Sequence, residues 1–196
     1  MIKTVFVFLL IICFASAQAQ YNTKIYNQYL DFNEAQSKND NSKAMLKADS
    51  ILHSSEKLPI KAQTSFYRRL AKLYEDQNQP EKAILYNEKV LQAVPDFYIS
   101  HRALGYLYLL PTNNLVDKMN QAKSNSAEHQ KYQSQYFKAI ETALPHLEKA
   151  EACDHDDATL DLIKGLYQKL NDKAGLAGLD KRLKLLRANC IDLLTD

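Results

Sequence analysis

Tyr67-Arg68-Arg69-Leu70-Ala71-Lys72-Leu73-Tyr74 and His101-Arg102-Ala103-Leu104-Gly105-Tyr106-Leu107-Tyr108 are two octets of one pattern: an aromatic ring, Leu three places on, a small residue next, and Tyr three further. Their small residues, Ala71 and Gly105, lie 34 positions apart. Between the octets come Ala83, Val90 and Pro95. The apolar places of each octet share one face of an amphipathic helix, and a small residue on such a face lets a second helix approach closely.

On both sides the chain continues as amphipathic helices broken by short polar turns, and no segment alternates with period two. The first pair spans 23–37 and 41–56, split by Lys38-Asn39-Asp40-Asn41, with Asn41 or Ser42 expected as N-cap and Ala44, Ala48, Ile51 and Leu52 facing inward. The second spans 60–77 and 80–93, split by Asn78-Gln79-Pro80, and closes at Val94-Pro95-Asp96, which is expected to cap the next helix. With 4 Gly and 5 Pro in 196 residues there is too little turn chemistry for a fold of many short strands. The fold class is all-α.

Tyr67-x2-Leu70-Ala71-x2-Tyr74 with Ala83, Val90 and Pro95, repeated in phase at His101-x2-Leu104-Gly105-x2-Tyr108, resembles the tetratricopeptide repeat, a helix–turn–helix unit of about 34 residues. Asn87 stands where that family places Phe. The interval from the small place to the next helix's Ala is 12 for Phe32 to Ala44, Ala71 to Ala83 and Gly165 to Ala177, but 38 for Gly105 to Ala143. One insertion of 26 residues, roughly 111–136, accounts for the difference. The resemblance implies a right-handed α-solenoid of about four helix pairs, with repeats near 25–58, 64–97, 98–157 and 158–191. Its first and fourth units match loosely, the first with Phe32 in the small place and the fourth with Asp161, Lys164 and Gln168 in places the family fills with apolar residues.

The insertion keeps helical spacing. Leu115, Met119 and Ala122 share one face, Tyr132, Tyr136, Ile140 and Leu144 another, and Asn125-x-x-Glu128 has the form of a capping box. These residues are read as a long helical hairpin in the third repeat, bent at Pro111 and Pro145, the alternative being a disordered polar loop around 118–133.

Residues 1–19 read as a signal peptide: Lys3, an apolar run from Thr4 to Ala15, and small-residue sites at Ala17 and Ala19. The run is too short to span a bilayer, and Cys13, preceded by Ile11-Ile12, is a poor lipidation site. The expectation is an exported bacterial protein, periplasmic or associated with the outer membrane, with no integral membrane span. Cys153 and Cys190 are then free to bridge, although their spacing leaves this open. Without Lys3 the chain has 24 basic and 23 acidic residues, too balanced for nucleic-acid binding. The basic run Lys181-Arg182-Leu183-Lys184 is read as a solvated face.

No nucleophile elbow, phosphate loop or metal-binding helix motif occurs, so no catalytic residue and no cofactor is expected. Cys153-Asp154-His155-Asp156-Asp157 superficially suggests a metal site. Neighbours on a turn diverge, however, and the segment is read as an exit turn whose Asp156 or Asp157 caps the next helix, with no metal.

The resemblance implies a non-enzymatic scaffold binding a protein or peptide along the concave surface lined by the first helix of each unit. Carried over place by place, the groove residues are Tyr26, Tyr29 and Asn33, then Arg68, Lys72 and Glu75, then Arg102 and Tyr106, and finally Leu162 and Leu166. Tyr29 stands where a Lys is expected in members that clamp a C-terminal carboxylate. The alternative is a structural subunit or homo-oligomer joined through the repeat ends and the hairpin, with the stripe Leu176, Leu179, Leu183 and Leu186 covered by the tail or by a second copy.

Overall fold

Asparagine sets the turns. Asn39, Asn78 and Asn171 have φ of 56°, 54° and 55°, the left-handed geometry that Asn tolerates better than most residues bearing a Cβ. After each, the next amide bonds back into the finished helix: Asp40 to the Ala35 carbonyl (2.9 Å), Gln79 to Tyr74 (2.9 Å) and Asp172 to Tyr167 (3.0 Å). The following helix then starts at once. Asp40 accepts from the Lys43 amide and Asp172 from the Gly175 amide, while Gln79 is followed by Pro80 at the first helical position. The second helix is thus capped by Asp40 and not by Asn41 or Ser42, because the left-handed Asn39 leaves Asp40 as the last residue outside helical geometry.

The computed structural model describes residues 23–194; the leader expected at 1–19 lies outside them. The described chain is all-helical: α1 (Thr23–Ser37), α2 (Asn41–Leu52), α3 (Ile60–Asp76), α4 (Pro80–Ala93), α5 (Tyr98–Leu109), α6 (Thr112–Gln121), α7 (Ser126–Cys153), α8 (Asp157–Lys169), α9 (Lys173–Ala177) and α10 (Leu179–Leu186). Among the described residues the only β geometry is one isolated parallel bridge, Phe97 with Ile191. No described helix is long and apolar enough to cross a membrane.

α1 packs on α2, α3 on α4, α4 on α5, and α5 along α7, which also carries α6, α8 and α10. One core lies among α1–α4, where Phe32 meets Phe66 edge-on at 5.0 Å and Tyr74 stacks on Tyr86 at 5.6 Å. A second lies around α7, with Leu115, Ile140, Leu147, Ile163 and Leu179. Each fully buried side chain of this size contributes about 1.5–3 kcal/mol. The 118–133 segment is helix except for the turn at 122–125, and Asn125 caps α7 by accepting from the Glu128 amide at 3.2 Å. Pro145 lies inside α7, and Pro111 sits at the N-cap of α6.

Close approach at the small residue holds in the middle of the chain but not at its end. Ala71 is 1% exposed, and a Cβ on Gly105 would come within 2.6 Å of Leu147. A Cβ on Gly165 would meet nothing within 4 Å, and Ala177 is exposed. The helix expected opposite Gly165 is broken at Gly178 into α9 and α10.

The C-terminal segment does not fold over the leucine stripe. Leu179 is buried, and Leu176 and Leu183 pack partly buried against the second core, while Leu186 is half-buried and outside both cores. The tail instead runs beside residues 96–98: the Ile191 amide donates to the Asp96 carbonyl (3.0 Å), and the Tyr98 amide to the Ile191 carbonyl (3.2 Å). Asp96 therefore anchors the tail, and Phe97 is the N-cap of α5. Cys153 and Cys190 are joined by a disulfide with Cα atoms 5.5 Å apart.

Candidate functional site

The helical pitch aligns Arg68, Lys72 and Glu75 along α3 and Arg102 and Tyr106 along α5, with Leu110 at its C-cap. Where the end of α3 and the turn into α4 face α5 lies a cleft of about 490 Å³, lined by Glu75 of α3, Asn78 of the turn, Pro80 of α4, and Ile99, Arg102 and Tyr106 of α5 among others; Arg68 and Lys72 do not line it. Its walls are largely apolar, with the polar groups contributed by Glu75, Asn78, Arg102 and Tyr106.

Arg102 is held by the turn after α7. Its Nη1 donates to Asp154 Oδ2 at 2.9 Å and its Nη2 to the Asp154 carbonyl at 2.6 Å, with the guanidinium 5.8 Å from the Tyr98 ring centre. Thr159 donates its hydroxyl to Asp156 at 2.6 Å, so the 2.8 Å contact between Tyr106 and Thr159 has the tyrosine as donor. Tyr106 nevertheless remains 42% exposed to the cleft side. Arg68 is half-buried with its guanidinium 5.9 Å from the Phe97 ring centre, and burial draws its pKa down. Lys72 is exposed and pairs with Asp76.

Glu75 is half-buried. Its Oε1 accepts from Asn87 Nδ2 at 3.2 Å, yet burial outweighs that bond and lifts its pKa above the usual carboxylate range. Asn87 is 3% exposed and donates also to the Ala83 carbonyl at 3.1 Å. In the repeat pattern this place holds a ring; here Tyr86, one residue earlier, supplies the ring, stacking on Tyr74.

The expected strip narrows at both ends. Tyr29 is 1% exposed within the first core, and Leu166 is 4% exposed within the second, so neither side chain offers a binding surface. The resemblance assigned them to the groove face, but neighbouring elements cover them. Tyr26 is partly buried beside Tyr29, ring centres 5.8 Å apart, and Leu162 packs against the second core. Asn33 is half-buried, with its Oδ1 lacking a hydrogen-bond partner. Arg68, Lys72, Glu75, Arg102 and Tyr106 remain together around α3 and α5.

Sequence reasoning missed the charged centre of α7. Glu148 is 4% exposed and accepts from Arg182 through Nε (2.9 Å) and Nη2 (2.8 Å), and also from Tyr167, whose pKa is pushed up to about 12, burial being the largest cause. Lys149 is 6% exposed and donates to Asp96 (2.6 Å) and to the carbonyls of Leu186 (3.2 Å) and Asn189 (2.5 Å). Glu151, 2% exposed, holds His155 and the Asp156 amide. Arg182 therefore belongs to a buried network and not to a solvated face. The turn at 153–157 is organised by its own chain: Cys153 is in the disulfide, Asp154 binds Arg102, His155 binds Glu151, and Asp156 caps α8.

No family model, no curated protein and no solved structure matches the chain.

Proposed function

We propose that this chain is an exported, non-enzymatic interaction scaffold, a tetratricopeptide-like right-handed solenoid that holds a protein or peptide between α3 and α5. The observation that carries the reading is the cleft itself: an apolar trough flanked by rigidly held polar side chains on first-in-pair helices of two consecutive units. Three units, α1–α2, α3–α4 and α5–α7, follow the repeat, with α6 and the first half of α7 as the inserted hairpin. The fourth pair, α8 with α9–α10, is a looser closing unit. The Cys153–Cys190 bridge supports an oxidising compartment and hence the export expected from residues 1–19. Replacing Leu110, which is 58% exposed, with Asp and Lys72 with Ala weakens capture of the partner from the native envelope without altering helix content. Unchanged capture by the folded double variant rejects the groove.

A further inference from the structure

We propose that the cleft between α3 and α5 takes a lysine or arginine side chain of a bound peptide, its alkyl stem along Ile99, Ala103 and Leu107 and its cation on the Glu75 carboxylate. This rests on the groove reading above and names the chemistry that the groove selects.

The departure from the repeat at Asn87 points there. A buried amide in a place that otherwise takes an aromatic ring sacrifices apolar packing and must be hydrogen-bonded to be tolerated. Asn87, 3% exposed, spends its amide hydrogens on the Ala83 carbonyl and on Glu75 Oε1, so its inward-facing contribution is to fix a carboxylate at the cleft wall. That leaves Glu75 Oε2 for an incoming donor.

Of the charged residues that line the cleft, Arg102 is paired with Asp154, which leaves the Glu75 carboxylate; Lys72, paired with Asp76, and Arg68, over the Phe97 ring and among the described residues in no ion pair, do not line it. Among the described residues Glu75 is in no ion pair, and burial disfavours its ionised form even though Lys72 and Arg68 pull the other way. A carboxylate so placed gains more from a cation than one in open solvent does. An alkyl stem ending in a charge suits walls that are apolar along Ile99, Ala103 and Leu107 and acidic at Glu75.

The test pans a degenerate peptide display library on the full chain after leader removal, alongside Glu75→Gln and Glu75→Lys. Gln keeps the acceptor for Asn87, and circular dichroism checks that each variant is folded; if Glu75→Lys fails to fold, Glu75→Gln decides alone. Expected are enriched peptides sharing a lysine or arginine, about tenfold weaker binding of a synthetic winner to Glu75→Gln, and a switch to acidic peptides with Glu75→Lys. Enriched peptides without a basic residue, or a basic preference that survives Glu75→Gln, overturn the proposal while leaving the groove standing. No enrichment of any peptide rejects the groove reading and this assignment with it.

Discussion

His101 on α5 and His146 on α7 face each other with their Nδ1 atoms 2.9 Å apart and their ring centres at 4.9 Å, joining the most extensively packed pair of helices in the described chain. His101 Nε2 lies 2.8 Å from the Pro95 carbonyl, which accepts and so must face an N–H. In the neutral pair His101 Nδ1 is therefore the acceptor and His146 Nδ1–H the donor. Burial holds His146 down to about 4, aided by repulsion from His101, and lowers His101 as well. Both rings bind protons less readily folded than unfolded. The stability they contribute is complete above pH 6.5 and is lost as pH falls from there toward 4. Urea denaturation between pH 7.5 and 5 is expected to show a loss of about 1–2 kcal/mol, smaller than a fully buried pair would give because the rings keep some solvent contact. The His146→Leu variant loses less over the same range. Equal slopes in the two proteins would remove the pair from the account.

The disulfide closes a loop of 37 residues in sequence separation. In the chain-entropy description it stabilises the fold by roughly 4 kcal/mol, and by about 2–4 as such bonds usually behave. A Cys153→Ser, Cys190→Ser double variant should unfold at correspondingly lower urea concentration, and reductant should lower the wild-type midpoint but not that of the variant. Identical midpoints for all three would mean that the tail is held without it.

Two glycines separate close packing from open surface. Gly105→Ala places a Cβ 2.6 Å from Leu147 Cδ2 and 3.2 Å from the Leu147 amide nitrogen, and is expected to cost about 1–3 kcal/mol. Gly165→Ala meets nothing within 4 Å and lies within α8, so it should stabilise by about 0.5–1 kcal/mol. Thermal melts of the two variants should move in opposite directions; a shared direction contradicts the packing described at one of the sites.

Lys149→Met removes the cation that gathers Asp96 with the Leu186 and Asn189 carbonyls, leaving those acceptors without their donor. The expected cost is about 2–4 kcal/mol. Hydrogen exchange should rise first at the Ile191 and Tyr98 amides, which hold the tail to residues 96–98. Unchanged protection there would show that the lysine is incidental to the tail.

The helices and turns of α1–α4 were legible because their signals are local: apolar spacing, Asn in the turns and Pro80 at a helix start. Of the residues that the resemblance assigned to a binding face, Arg68, Lys72, Arg102 and Tyr106 are partly or fully exposed, whereas Tyr29 and Leu166 are buried in the cores because their covering elements come from elsewhere in the fold. Glu148-Lys149-x-Glu151 has the composition of a surface turn of helix, and nothing near it in sequence reveals that Arg182, Asp96 and the tail enclose it. The sequence spacing leaves a Cys153–Cys190 bridge open, and it is the approach of the end of α7 to the tail that brings their Cα atoms within reach.

Site-specific photocrosslinking in cells bears most directly on the groove. A photoreactive residue at Ile99, inside the cleft, should capture a partner polypeptide that the same residue at Leu85, exposed on α4, does not. Capture at Leu85 with none at Ile99 would contradict a binding role for the surface between α3 and α5.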